Sequence, residues 1–184
     1  MKRIVLTFGL ISGAILAAMT AMMIPMCMSG VVDLDRSEIV GYTSMVLAFL
    51  LVFFGIRSYR ENVGGGAITF GKAFTVGILI TLIASAVYVI SWEIVYFNFV
   101  PDFADKYAAH RIEKMRASGA TAAAIESMRQ EMARFKVLYA NPFLNTAITL
   151  LEVFPVGLIV TLVSAAILRR KARPSAPSTR AAIV

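Results

Sequence analysis

Four long apolar stretches constrain this chain more than any other feature of its sequence. They cover residues 4–28, 39–56, 70–95 and 143–168, and the first two contain no charged residue. A helix needs roughly 17–25 such residues to cross the hydrocarbon core of a bilayer. Apolar residues make up 59% of the chain and charged residues only 16%, which exceeds what the core of a soluble domain would use. The sequence therefore predicts an all-α, integral membrane four-helix bundle.

The first stretch admits two interpretations, a retained span or a cleaved signal peptide. The apolar part of a signal peptide has about 7–15 residues before its cleavage site. This stretch continues without a charge to Met28, so we expect it to be retained. A lipoprotein signal would need a small residue before Cys27, and that position is Met26.

The basic residues predict the orientation of the bundle. They lie at the N-terminus, in the loop after the second stretch and after the fourth stretch, whereas the loop after the first stretch is acidic. By the positive-inside rule, both termini are expected in the cytoplasm, with residues 172–184 as a disordered cytoplasmic tail. The basic residues concerned are Lys2, Arg3, Arg57, Arg60, Arg169, Arg170 and Lys171.

Residues 101–140, between the third and fourth stretches, are expected to form an extracytoplasmic helical hairpin. Ser118, Gly119 and Ala120 are turn residues, and Thr121 is suited to cap the second helix. Apolar residues recur at steps of three and four in both helices, which predicts two stripes that pack together. The stripes are Ala104, Ala108, Ile112 and Met115, then Ile125, Met128, Met132, Phe135 and Tyr139. The opposite charged faces are expected in water: Arg111, Lys114 and Arg116, then Glu126, Arg129 and Arg134.

Glu152 is the most informative single residue, because a carboxylate inside an apolar span costs a few kcal/mol and calls for a partner or a function. It lies roughly 13 Å from the start of the fourth stretch, at a rise of 1.5 Å per residue. At similar depth the other stretches offer polar residues, which predicts a polar cluster of Glu152 with Thr20, Tyr42, Thr43, Ser44, Ser85 and Tyr88. Two interpretations stay open: a proton or cation site, or a neutral glutamic acid that sets helix register.

Small residues recur at every fourth place and predict faces where helices approach closely. They could serve the bundle itself or a dimer. These residues are Gly9, Gly13, Gly77, Thr81, Gly157 and Thr161. Lys72 and Glu93 mark the membrane boundaries of the third stretch, and Trp92 and Tyr96 are expected as interfacial aromatics.

Several chemistries are disfavoured. Residues 66–73 match a phosphate-binding loop except at Ala73, where Ser or Thr is needed for magnesium. The methionines around Cys27 suggest copper, but no second Cys or nearby His supports a metal site. The spans lack the residue arrangements of an intramembrane hydrolase. No enzyme activity, cofactor or nucleic-acid binding is expected.

Three stretches of the chain carry a family resemblance. The first runs from GYTSM (41–45) to FGIRSYR (54–60), the second is ITFGKAF (68–74) with residues 77–88, and the third is LEVFPVGLI (151–159), closing with LRRK (168–171). Together they resemble a family of small bacterial four-span membrane proteins known as DUF4199. Gly71, Lys72, Glu152 and Pro155 match the family pattern. The resemblance implies a bacterial inner-membrane protein and carries no established activity.

The expected function is that of a non-enzymatic helical bundle in contact with lipid. It would act by association with itself or with a membrane partner through the outer hairpin. The alternative is a small proton- or cation-coupled transporter that uses Glu152.

Overall fold

The structure, a computed structural model, describes residues 1–28 and 34–170. The predicted tail at 172–184 lies outside the described residues. The described chain forms six helices: α1 (Lys2–Met28), α2 (Leu34–Asn62), α3 (Phe70–Phe99), α4 (Phe103–Ala117), α5 (Ala122–Ala140) and α6 (Pro142–Leu168).

Helices α1, α2, α3 and α6 form a four-helix bundle, and each is long and apolar enough to cross a membrane. The predicted all-α membrane bundle with a helical hairpin before the last span is therefore confirmed. Helix α2 extends beyond the predicted end at residue 56, because polar residues prolong it. Arg57 pairs with Glu61 one turn later, with Nε and Oε1 3.0 Å apart.

The four long helices pack as a ring in which α3 lies between α1 and α6, and α2 lies between α6 and α1. Polar side chains join neighbouring helices inside this ring. Ser12 of α1 donates to the carbonyl of Ala48 in α2 at 2.9 Å. The hydroxyl oxygens of Thr81 in α3 and Thr161 in α6 lie 2.9 Å apart, and both residues are fully buried.

The core of the bundle is filled by large apolar side chains from three of its helices. Phe49, Val52, Ile56, Val76, Ile80 and Val153 are all fully buried. Large apolar side chains also cover the outer faces, including Leu47, Ile90, Leu151, Ile159 and Ile167. An apolar exterior of this extent on all four long helices is what contact with the lipid bilayer requires.

The two ends of the bundle differ. At the end that carries Met1 and the last described residue, Arg170, here called the termini end, Ile68 and Arg170 exchange two backbone hydrogen bonds of 2.9 Å. Gly65 and Gly66 make the preceding turn with positive φ angles of 59° and 85°. In the segment that resembles a phosphate-binding loop, residues 66–69 therefore complete the turn and join the end of α6, and residues 70–73 are the first turn of α3.

At the other end, called the hairpin end, α4 and α5 form the helical hairpin. Gly119, with a φ of 74°, makes the turn, and the Thr121 hydroxyl accepts from the Ala124 amide. Ala104, Ala108, Met132 and Tyr139 of the two apolar stripes are buried. Lys136 forms an ion pair with Asp105 across the hairpin. Lys106 pairs with Asp102 at 2.8 Å and lowers the pKa of that carboxyl.

Candidate functional site

An aromatic cluster joins the hairpin to the end of α3. Trp92 packs against Phe103 of α4 with ring centroids 5.2 Å apart, and Tyr96 packs against Tyr139 of α5 at 5.5 Å. Phe135 completes the cluster, 4.3 Å from Tyr139. Trp92 and Tyr96 are each only 5% exposed, so the prediction that they are interfacial aromatics was wrong. The hairpin covers them, because its apolar stripe also packs against α3.

Asn145 is a second link between the hairpin and the bundle. Its side-chain oxygen accepts from the Trp92 indole at 2.9 Å and from the Thr149 hydroxyl at 3.2 Å. Its side-chain nitrogen donates to the Tyr139 carbonyl at 3.2 Å. Asn145 is fully buried. The sequence analysis did not identify it, because an amide near the start of an apolar helix is all that the sequence shows at this position.

A cavity of about 600 Å³, partly open to the outside, lies at the hairpin end between the bundle helices and the hairpin. All six helices contribute to its wall. The α1 side of the wall is mostly apolar and includes Leu16, Met19, Met23 and Cys27. The aromatic cluster contributes Trp92, Phe103 and Phe135. The polar residues of the wall are Thr20, Tyr42, Ser44, Tyr88, Tyr107, Arg111, Tyr139, Thr149 and Glu152.

Glu152 lies on the α6 part of this wall, where its side chain is exposed, and two tyrosines of the wall lie near it. Tyr88 of α3 and Tyr139 of α5 are close enough for its charge to act on their phenols. Burial raises the pKa of Tyr139, and the nearby Glu152 carboxylate raises it further. The Tyr139 phenol therefore stays protonated near neutral pH. Tyr88 is within hydrogen-bonding reach of Thr20, which in turn donates to the Leu16 carbonyl at 3.0 Å.

The predicted polar cluster is only partly assembled. Thr20, Tyr42, Ser44 and Tyr88 share the cavity wall with Glu152, and Ser44 donates to the Val40 carbonyl at 2.6 Å. Thr43 and Ser85 are not among the described wall residues. Thr43 is exposed on α2. Ser85 lies in the bundle interior, almost one turn before Tyr88 on α3, and its buried hydroxyl has no hydrogen-bond partner among the described residues.

The two predicted boundary charges also lie outside the cavity. Glu93 accepts a hydrogen bond of 3.0 Å from the Thr146 hydroxyl and so links α3 to α6 at the hairpin end. Lys72 is exposed at the termini end, where its ammonium lies 5.9 Å from the centre of the Tyr59 ring. Neither charge contributes to the chemistry of the cavity wall.

Arg111 contributes to the cavity wall, although the sequence placed it on the solvated face of the hairpin. It is half-buried, and its guanidinium carbon lies 6.0 Å from the centre of the Tyr107 ring. The reason is helical spacing: Arg111 follows Tyr107 by four residues and the buried Ala108 by three, so it shares their face. The described wall thus holds one carboxylate and one guanidinium.

The small residues pack helices of the same chain together. A Cβ atom added to Gly9 or Gly13 of α1 would lie within 2.8 Å of Ile83 or Val87 of α3. A Cβ atom at Gly77 would lie 2.8 Å from Thr161, and the same atom at Gly157 would lie 2.5 Å from Thr81. These contacts hold α1 and α6 against opposite sides of α3 and so position the cavity between them.

The model of one protein family, described as "Protein of unknown function (DUF4199)", matches residues 7–170. That range includes every residue named in the cavity wall. No curated protein and no solved structure matches the chain.

Proposed function

Since the chain belongs to the DUF4199 family, whose function is unknown, we propose its function from the cavity: it is a non-enzymatic membrane protein that binds a small amphipathic molecule at the hairpin end. The observation that carries this proposal is the cavity of about 600 Å³ to which all six helices contribute. Ligand-binding cavities typically have volumes of about 300–1,000 Å³ and mostly apolar walls with a few polar groups.

The packing of the bundle favours a binding pocket over an open pore. Between the cavity and the termini end, the interior is filled by fully buried side chains such as Phe49, Val52 and Ile80. A bound molecule would therefore rest on a closed floor. Among the described wall residues there is one carboxylate and no Ser–His pair, which supports binding without catalysis.

Filling the cavity tests this proposal. Gly41 lies in the cavity wall, and a Cβ atom there meets nothing within 4 Å, so Gly41→Phe adds a ring at the cavity wall without a clash at its base. We expect this variant to fold and to lose binding of small aromatic molecules at least about tenfold, because it occupies their volume. Binding is measured by the fluorescence of Trp92, which lines the cavity and is the single tryptophan of the chain.

Gly71→Phe is the matched control. Gly71 also lies in a helix with open space around its Cβ position, but at the termini end and outside the cavity wall. Both proteins are studied in lipid nanodiscs with three probes that share a phenyl ring: cationic benzyltrimethylammonium, neutral neopentylbenzene and anionic phenylmethanesulfonate. Saturable binding of none of these probes, or equal binding by the two variants, would argue against a ligand site.

Transport coupled to a proton or cation is the second candidate function, and the place of Glu152 on the cavity wall favours it. Ionisable residues inside membrane spans commonly mark ion or proton pathways. Transport would require the packed side chains between the cavity and the termini end to separate during each cycle. Proteoliposomes that show the same proton and cation flux with Glu152→Gln as with the original residue would exclude this mechanism.

We also propose that the chain lies in a bacterial inner membrane with both termini in the cytoplasm. The basic residues at the termini end support this orientation: Lys2, Arg3, Arg57, Arg60, Arg169 and Arg170. In a Cys27→Ser background, Ser118→Cys in the hairpin turn should react with a membrane-impermeant maleimide in intact spheroplasts. Val63→Cys at the termini end should react only after lysis, and the reverse pattern would invert the orientation.

Association through the hairpin, with a second copy or with another membrane protein, stays a prediction. The outward face of the hairpin carries the charged residues that would meet a partner, such as Glu113, Arg116, Glu126 and Arg129. Cross-linking of the chain in its native membrane measures this directly. A monomer at every cross-linker length would contradict the prediction.

A further inference from the structure

We propose that the ligand of the cavity is an amphipathic organic cation, whose ammonium group is held at Glu152 among the tyrosines of the wall. This inference rests on the proposed function and adds the chemical class of the ligand. It follows from how charge and aromatic rings are distributed over the described wall.

The carboxylate of the described wall, Glu152, lies well inside the span of α6. Glu152 is ten residues after Pro142, the first residue of α6, which corresponds to roughly 15 Å along the helix axis. The Glu152 side chain is exposed and lines the cavity, so a ligand can reach its carboxylate. At this depth along a membrane-spanning helix, a carboxylate attracts a cation more strongly than it would in bulk water. A ligand with a positive group gains most from reaching this depth.

Tyrosine rings line the same cavity as Glu152. Tyr42 of α2, Tyr88 of α3 and Tyr139 of α5 come from three different helices and all line the cavity. Tyr88 and Tyr139 are each close enough to Glu152 for electrostatic interaction. Aromatic faces attract alkylammonium groups, and the attraction increases when the site is shielded from water. A carboxylate with several tyrosines therefore suits an organic ammonium group better than a small, strongly hydrated metal ion.

The positive charge of the wall lies at the hairpin. Arg111 of α4 lines the cavity on the side opposite the membrane interior, where it packs near Tyr107. This guanidinium repels a cationic group near the hairpin and attracts polar or anionic groups there. The two charges thus orient the ligand, with its ammonium group deep and any polar group toward Arg111. Leu16, Met19 and Met23 on the α1 side would contact its apolar part.

The three phenyl probes introduced above test the charge preference directly. Benzyltrimethylammonium and neopentylbenzene have nearly the same shape and differ by one positive charge, and phenylmethanesulfonate carries the opposite charge. We expect benzyltrimethylammonium to change Trp92 fluorescence saturably, with an affinity at least about tenfold higher than that of either other probe.

Substitutions of Glu152 distinguish a direct role of its charge in cation binding from a role in folding alone. Glu152→Gln should weaken cation binding about tenfold or more, while Glu152→Asp should retain most of it because the charge remains. Glu93→Gln is the matched control, since Glu93 lies at the same end but outside the cavity wall, and glutamine keeps the acceptor for Thr146. Tyr42 is 51% exposed, so Tyr42→Leu should leave the core undisturbed. We expect it to weaken binding of the cationic probe more than binding of the neutral one.

The outcomes distinguish this inference from the proposed function. If the neutral probe binds as tightly as the cation, or Glu152→Gln binds the cation as well as the original residue, the cation site is refuted while the cavity remains a ligand site. If none of the three probes binds, both proposals fail. If Glu152→Gln does not fold, loss of selectivity in Tyr42→Leu supports the inference and unchanged selectivity overturns it.

Discussion

Leucine in place of Gly157 is expected to lower the free energy of unfolding by about 3 kcal/mol or more, a large fraction of the roughly 5–15 kcal/mol that is typical of a folded protein. A Cβ atom at this position would lie 2.5 Å from the Thr81 methyl and 2.8 Å from two ring atoms of Phe49. Thr81 and Phe49 are fully buried and come from two different helices, so neither can move aside without disturbing the core. Leucine would force α6 away from both α2 and α3.

The displacement of α6 would also break a polar contact. Thr81 donates to the Gly157 carbonyl at 3.4 Å and shares a hydrogen bond with Thr161. Inside a membrane, such contacts between helices depend on close backbone approach, which small residues permit. The loss of packing and the loss of this hydrogen bond therefore act in the same direction.

The measurement is helicity and Trp92 fluorescence of the purified protein in mixed micelles with increasing dodecyl sulfate. Gly71→Leu is the control, because a Cβ atom there meets nothing within 4 Å and leucine favours a helix more than glycine does. We expect this control to unfold at the same detergent fraction as the original chain or at a higher one. An unchanged midpoint for Gly157→Leu would show that α6 does not pack against Thr81 as described.

The second large effect is expected for Asn145→Leu. This change removes the acceptor of the Trp92 indole and the donor to the Tyr139 carbonyl, both of which are buried. A buried polar group that loses its partner destabilises a protein by about 1–3 kcal/mol. Since Asn145 joins α6 to both α3 and α5, we expect the hairpin to separate from the bundle before the bundle itself unfolds.

Separation of the hairpin has two readouts. Trp92 emission should shift to longer wavelength as water reaches the indole, and trypsin should cut the hairpin at its lysines and arginines at least about tenfold faster. Asn98→Leu is the control, because the Asn98 amide is exposed and, within residues 1–28 and 34–170, donates only to the Ile94 carbonyl of its own helix. If Asn145→Leu keeps the emission wavelength and the trypsin resistance of the original chain, Asn145 does not hold the hairpin.

The candidate site shows which residues a sequence can reveal. Glu152 was identified because a carboxylate inside an apolar stretch is conspicuous whatever its neighbours are. Tyr42, Ser44 and Tyr88 were assigned to the same cluster because the rise per residue of a helix puts them at a similar depth in the membrane. Depth alone does not specify direction, and for that reason Ser85 and Thr43 were included although they are not in the described cavity wall.

Arg111 and Asn145 depend on how separate elements are placed. Arg111 occurs among other charged residues of a polar helix, which usually indicates a solvated face. It lines the cavity only because the hairpin lies across the end of the bundle. Asn145 likewise gains its role from Trp92 and Tyr139, which are distant in the chain.

The sequence by itself determined that this chain forms four membrane-competent helices with a helical hairpin before the last one. Each of those features depends on local composition, because lipid requires an uninterrupted apolar helix and a turn requires particular residues. Only the tertiary structure decided that the helices and the hairpin together line a cavity, and that Glu152 and Arg111 are both in its wall. The physical reason is that a cavity is defined by the relative positions of six helices, and those positions follow from close contacts such as that of Gly157 with Thr81.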